Sequence, residues 1–164
     1  LEELGDHRST KIAYGNGVLE AMAPLPAHEF DKEIISDFLK AFLEELEIEF
    51  LTLGSMTFKN SSMLQGVEPD QCFYIQNESQ VRGKKRLDLA VNSPPDLVLE
   101  VDIIARTHPD IYAGLGVPEL WRREGEQIQI YILQAGQYVE VDERLFEKSK
   151  LLPEPPPAPQ FRGF

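Results

Sequence analysis

The sequence predicts a mixed α/β sheet with a helix on each face, and three observations predict it. Residues 28–46 carry apolar side chains at three- and four-residue spacing, the pattern of an amphipathic helix. Leu97 to Ile104 is an apolar run long enough for a strand buried on both faces. Short strand-like segments and a second, shorter helix surround that run in an alternating order.

Taken in order, Lys11–Tyr14 and Val18–Met22 flank Gly15-Asn16-Gly17, residues that tolerate positive φ, and read as a hairpin. Pro24, Pro26 and Ala27 break the chain before the helix. In that helix Phe30, Ile34, Ile35, Phe38, Leu39, Phe42, Leu43 and Leu46 form one broad apolar stripe, and His28 and Glu29 in its first turn can face an active site. Ile48–Leu53 and Met56–Lys59 read as two strands turned at Gly54-Ser55. Gly66–Asp70 leads into an apolar and aromatic strand at Cys72–Ile75. Asn77–Arg86 reads as an exposed loop and Leu87–Val91 as a short extended segment, with a stiff turn at 92–95. After the buried strand, Thr107 or His108 can cap a helix with Pro109 in its first turn, Ile111, Tyr112 and Leu115 inward, and Gly116 at its end. Val117–Arg122 starts another strand, and Gln127–Leu133 and Tyr138–Val141 pair across residues 134–137. Leu145 and Phe146 suit a last helical turn. The expected organisation is one domain over residues 1–151 and a proline-rich tail over 152–164.

Composition narrows the function. No apolar run approaches the roughly 20 residues that cross a bilayer, and the first residues are too polar for a signal peptide, so no membrane partner is expected. A single cysteine, Cys72, excludes an internal disulfide and a cysteine-rich zinc site, and fits a reducing cytoplasm. Sixteen basic against 28 acidic residues give a formal charge of −12. Such a chain repels nucleic acid unless one face is locally basic. The one dense basic cluster is Arg82-Gly83-Lys84-Lys85-Arg86, which is either a solvated loop or a phosphate contact.

The chemistry concentrates in carboxylates. Glu100 and Asp102 interrupt the buried run two residues apart, so they project from one face roughly 6.6 Å apart along the strand. Buried acids need a partner, either an arginine or a divalent metal. Asp70, entering the aromatic strand, can join Glu100 from a neighbouring strand, with the Val101 carbonyl as a third oxygen ligand. Asp96 lies four residues before Glu100 on the same strand, roughly 13 Å away and too far to share an ion. Metal-dependent phosphodiester cleavage needs such oxygen ligands and also a cation.

Gly66-Val67-Glu68-Pro69-Asp70, Leu87-Asp88-Leu89, the Pro94–Ile103 stretch and Ile111-Tyr112-Ala113-Gly114-Leu115-Gly116-Val117-Pro118-Glu119-Leu120-Trp121 together resemble the Uma-two family of restriction endonucleases, abundant in cyanobacteria. The resemblance covers most of the chain and includes His28-Glu29. It implies a restriction-endonuclease-like fold of the PD-(D/E)xK class, with Asp70 and Glu100 holding Mg²⁺ or Mn²⁺ and DNA as substrate. Cutting both strands of a duplex takes two sites, which a homodimer is expected to supply. The lysine expected two residues after Glu100 is Asp102. Family members often carry a lysine on the following helix, and His108 occupies that position, with Arg106 a permanent cation nearby. Arg82, Lys84, Lys85 and Arg86 are the expected DNA contacts. The alternative is a nuclease-fold binding or regulatory module that no longer cuts, and a third reading makes Glu100 and Asp102 structural acids neutralised by Arg86, Arg106 or Arg122.

Overall fold

The computed structural model describes residues 11–15, 18–23, 25–54, 56–60, 65–102 and 109–141. His108, Arg106, Thr107, Ile103, Leu145, Phe146 and the proline-rich 152–164 segment lie outside them. Ten strands and three helices run in the order β1 Lys11–Gly15, β2 Val18–Met22, α1 Pro26–Glu45, β3 Leu51–Thr52, β4 Phe58–Asn60, β5 Gln65–Val67, β6 Gln71–Tyr74, α2 Glu78–Val81, β7 Leu97–Asp102, α3 Pro109–Leu115, β8 Glu119–Glu124, β9 Gln127–Gln134 and β10 Gln137–Val141 among the described residues.

The main sheet has the order β10-β9-β8-β7-β6-β3, and β2-β1-β5-β4 form a smaller one. Within the main sheet only β7 and β8 are parallel, connected through α3, while the other neighbours are antiparallel. The buried apolar run therefore lies inside the main sheet, between β6 and β8. Its side chains alternate between two cores. Leu97 and Leu99 join Phe73, Trp121 and the inner row Ile35, Leu39 and Leu43 of α1. Val98 joins Cys72, Tyr74, Leu120 and the inner residues of α3 on the opposite face, together with Ala13, Phe58 and Val67 of the small sheet. The predicted mixed sheet with a helix on each face is the observed architecture.

Several local expectations change. The apolar stripe of α1 is not buried as a whole: Phe30, Ile34 and Phe38 are 65%, 53% and 60% exposed. Ile34 and Phe38 form a row set about 100° round the helix from the buried Ile35 and Leu39. The helix packs one row on the sheet and leaves the other outside. Pro26 is the first residue of α1 rather than a breaker before it, because the first helical N–H has no partner to lose. The two strands expected on either side of Gly54 do not form a hairpin. β3 pairs with β6 in the main sheet and β4 with β5 in the small one, so the chain crosses between sheets there. The loop at 77–86 begins with the short helix α2. Residues 87–91 form turns instead of a strand, with the Asp88 carboxylate accepting from the Ala90 N–H at 2.9 Å. The β9–β10 turn carries Ala135 and Gly136 at positive φ, which matches the twist of a tight hairpin.

Asp96 organises the turn before β7. It is 2% exposed, and its carboxylate accepts from the Ile75 N–H at 2.7 Å, the Asn77 N–H at 3.1 Å and the Asn77 Nδ2 at 2.8 Å. The carboxylate thus joins the end of β6 to the start of β7. Asp96→Ala removes all three bonds and leaves half-buried donors unmatched. Urea denaturation should show a loss of about 2–3 kcal/mol.

Candidate active site

β6 and β7 run antiparallel with Gln71 opposite Leu99. Carried one residue further, this register sets Asp70 opposite Glu100. Both are buried, at 1% and 2% exposure. Two carboxylates therefore meet at the end of adjacent strands, where β6 begins and β7 nears its end.

Asp70 is held from three directions. The Val101 N–H donates to Oδ2 at 2.7 Å. The Lys11 ammonium, from the first residue of β1, donates to Oδ1 and forms an ion pair with it. The Nε2 of His28, in the first turn of α1, lies 2.9 Å from Oδ2. Burial pushes the Asp70 pKa up, but the His28 imidazole, the Lys11 ammonium and the Val101 N–H outweigh it and hold the carboxyl below its usual value. His28 itself is 2% exposed, and its Nε2 faces the Asp70 carboxylate. Its Nδ1 lies 3.4 Å from Glu29, on the outer side of the helix turn.

Glu100 accepts a hydrogen bond from the Tyr112 hydroxyl of α3. Tyr112 is fully buried, and its pKa is raised by that burial and by the negative charges of Glu100 and Asp70. The hydroxyl therefore stays protonated and remains a donor. Arg122 on β8 is the register neighbour of Glu100 and is also buried. Parallel neighbours share a sheet face, so a guanidinium stem runs beside the Glu100 side chain.

Asp102 ends β7, two residues beyond Glu100. Arg82 turns back onto Glu78 and reaches Glu49 and the Phe50 carbonyl at 3.4 Å. Lys84, Lys85 and Arg86 are exposed and follow β6 and α2, leaving the sheet at the end opposite Asp70. The strands thus bring Asp70, Glu100 and Val101 together and leave the basic run apart from them.

The sequence assigns no site role to two groups here, Lys11 and Tyr112. Lys11 is merely the first residue of a short strand, and its contact spans 59 positions. Tyr112 reads as an inward residue and as part of the stretch that resembles the family, with no site role assigned.

The donor set bears on a metal. Among the described residues no three His, Cys, Asp or Glu side chains form a finished cation site. Mg²⁺ does not require one, since it keeps several waters and takes one or two carboxylates. In an extended strand the N–H and C=O of one residue point to the same edge. The Val101 carbonyl therefore faces the side from which Asp70 approaches. The buried His28 imidazole, set against the Asp70 carboxylate, is a further candidate ligand. The residues fit a small divalent cation.

The sequence matches the family Uma2, described as "Putative restriction endonuclease", over residues 1–162, and the chain belongs to that family. The fold is similar to that in the "crystal structure of a putative nuclease belonging to DUF820 from Anabaena variabilis ATCC 29413", at 12% identity and a TM-score of 0.57, over 80% of this chain and 76% of that one. No curated protein matches the sequence. The class is thus a nuclease fold, and the family is that of Uma2.

Tyr112→Phe deletes the hydroxyl that donates to the buried Glu100 carboxylate. Chemical denaturation should show a loss of about 1.5–3 kcal/mol. The same substitution placed on Glu100→Gln should cost markedly less, since the amide carries no charge to satisfy.

Proposed function

We propose that the chain is a metal-dependent endonuclease of the PD-(D/E)xK class that hydrolyses DNA phosphodiester bonds. The observation that carries this reading is the meeting of two buried carboxylates, Asp70 and Glu100, at the ends of adjacent strands. Asp70, Glu100 and the Val101 carbonyl would hold Mg²⁺ or Mn²⁺, with His28 as a further ligand and Asp102 assisting or orienting. Bound there, the cation supplies Lewis-acid activation of water and of the phosphate. The chain's own groups fix the ligands: the Val101 N–H orients Asp70, and the Tyr112 hydroxyl orients Glu100. For the cation missing at Asp102, His108 and then Arg106 are the family-based candidates. Arg82, Lys84, Lys85 and Arg86 would contact DNA backbone beyond the site.

Cutting both strands of a duplex calls for two sites, and we assign them to a symmetric homodimer. The exposed row Phe30, Ile34 and Phe38 on α1, with Phe38 stacked on Phe42 at 6.3 Å between centroids, offers that dimer an apolar surface. No described helix is long and apolar enough to cross a membrane, and the single buried cysteine suits a reducing cytoplasm. Phe38→Glu should shift the protein from dimer to monomer in light scattering, with the far-ultraviolet circular dichroism unchanged.

A second reading, a binding or regulatory module that does not cut, is favoured by one feature: Asp102 stands where the motif lysine belongs. The two part in one experiment. Mn²⁺ is titrated calorimetrically into wild type, Asp70→Ala and Glu100→Ala, and the three proteins are run on supercoiled plasmid. The nuclease reading expects metal binding weakened at least tenfold in both variants and nicking by wild type alone. Binding without nicking favours the module, and no binding at millimolar metal removes the metal site.

A further inference from the structure

The buried site already contains a cation. Lys11 donates to Asp70 Oδ1, and its side chain is 12% exposed where that of Asp70 is fully covered. Its position is fixed by the small sheet. β1 pairs with β5 so that Ala13 faces Val67 and Tyr14 faces Gly66. Continuing this register sets Lys11 beside Pro69, the residue before Asp70. The ammonium thus stands at the rim of the site on a flexible four-carbon stem, its base anchored by a ladder and its tip on a carboxylate.

We propose that Lys11 is the resident counter-ion of the metal-free site, that it and a divalent cation exchange for Asp70, and that the released ammonium serves the phosphate in place of the lysine absent from Glu100-Val101-Asp102. This rests on the nuclease reading above. Two carboxylates set side by side repel one another, and burial without a cation is costly. Lys11 offsets the share of that cost that falls on Asp70 Oδ1 while no metal is bound. A metal ion and an ammonium cannot both take the same carboxylate oxygen at full strength, because their charges repel across a few ångströms of weakly screening interior. The lysine stem lets the ammonium swing outward, and its three donors suit a phosphate oxygen approaching from solvent. The sequence position is unrelated to the Glu-x-Lys spacing, so the same charge would reach the site from a different sheet.

The test is Lys11→Met, which keeps the stem and removes the charge. Calorimetric Mn²⁺ titration should show at least about tenfold tighter binding than wild type, because the competing charge is gone. Plasmid nicking should fall by about 100-fold or more, the usual effect of removing one electrostatic stabiliser. A merely structural lysine would weaken metal binding and nicking together. Unchanged or weaker Mn²⁺ binding in the variant, with wild type binding normally, overturns the exchange and leaves the nuclease reading standing. Tighter binding with unchanged nicking overturns the phosphate role. Wild type that binds no Mn²⁺ overturns both the nuclease reading and this one. Should Lys11→Met fail to fold, the ¹⁵Nζ signal of Lys11 in wild type gives the answer. Mg²⁺ must move it to the position of a solvated ammonium, and an unmoved signal with metal bound overturns the proposal.

Discussion

Covering the Asp70 carboxylate ties together three parts of the chain that are distant in sequence. β1 contributes Lys11, the first turn of α1 contributes His28, and the end of β7 contributes the Val101 N–H. An acid at 1% exposure is tolerable only while such partners stay in place. The small sheet is therefore more than an appendage, since it carries the charge that neutralises a carboxylate of the main one. Anything that frees β1 from β5 also exposes Asp70 to an uncompensated burial. In this sense the docking of the two sheets and the state of the site are one problem.

The acids of the central region divide by strand end. Asp96 stands where β7 begins and accepts only from backbone and amide donors, so its charge goes into closing a turn. Asp70 and Glu100 stand where β7 nears its end, and besides the Val101 N–H on Asp70 their partners include a lysine, an imidazole and a phenol. Backbone amides cannot be released without unravelling structure, whereas side chains can move aside. Asp70 can keep the Val101 N–H on one oxygen while the lysine on the other is exchanged, whereas the partners of Asp96 among the described residues include no charged side chain. Sequence spacing already separates Asp96 from Glu100, but only the partner lists explain why the two ends differ in kind.

What was legible in the sequence follows the range of the interactions involved. The Leu97–Asp102 strand, the α3 inner face and the β9–β10 hairpin were all readable, since each is decided by residues within a few positions of one another. The length of α1 was readable for the same reason, but the row that packs was not. Ile34 and Ile35 have the same chemistry, and Phe38 and Leu39 nearly so, so that only the sheet decides between them. β3, β4 and β5 hold two or three residues each and are specified by partners in two different sheets. At the site, Asp70 and Glu100 were marked by being acids next to apolar runs. Lys11 could not be marked, since a lysine opening a strand is ordinary and its partner lies in another sheet.

Charge then constrains how DNA would reach such a site. The chain carries −12, and the exposed Lys84, Lys85 and Arg86 depart from the end of the strands opposite Asp70. Long-range attraction directed by that run would hold a duplex beyond the site, so the approach of a phosphate to the carboxylates depends on charge near them. Near the carboxylates, Lys11 offsets one negative charge in the metal-free state, and a divalent ion adds two positive ones. On the nuclease reading, the site therefore becomes attractive to a phosphate only once the metal is in place and Lys11 is displaced toward solvent. Metal occupancy would then govern substrate binding as well as chemistry, which is an economical way for a strongly acidic protein to act on a polyanion.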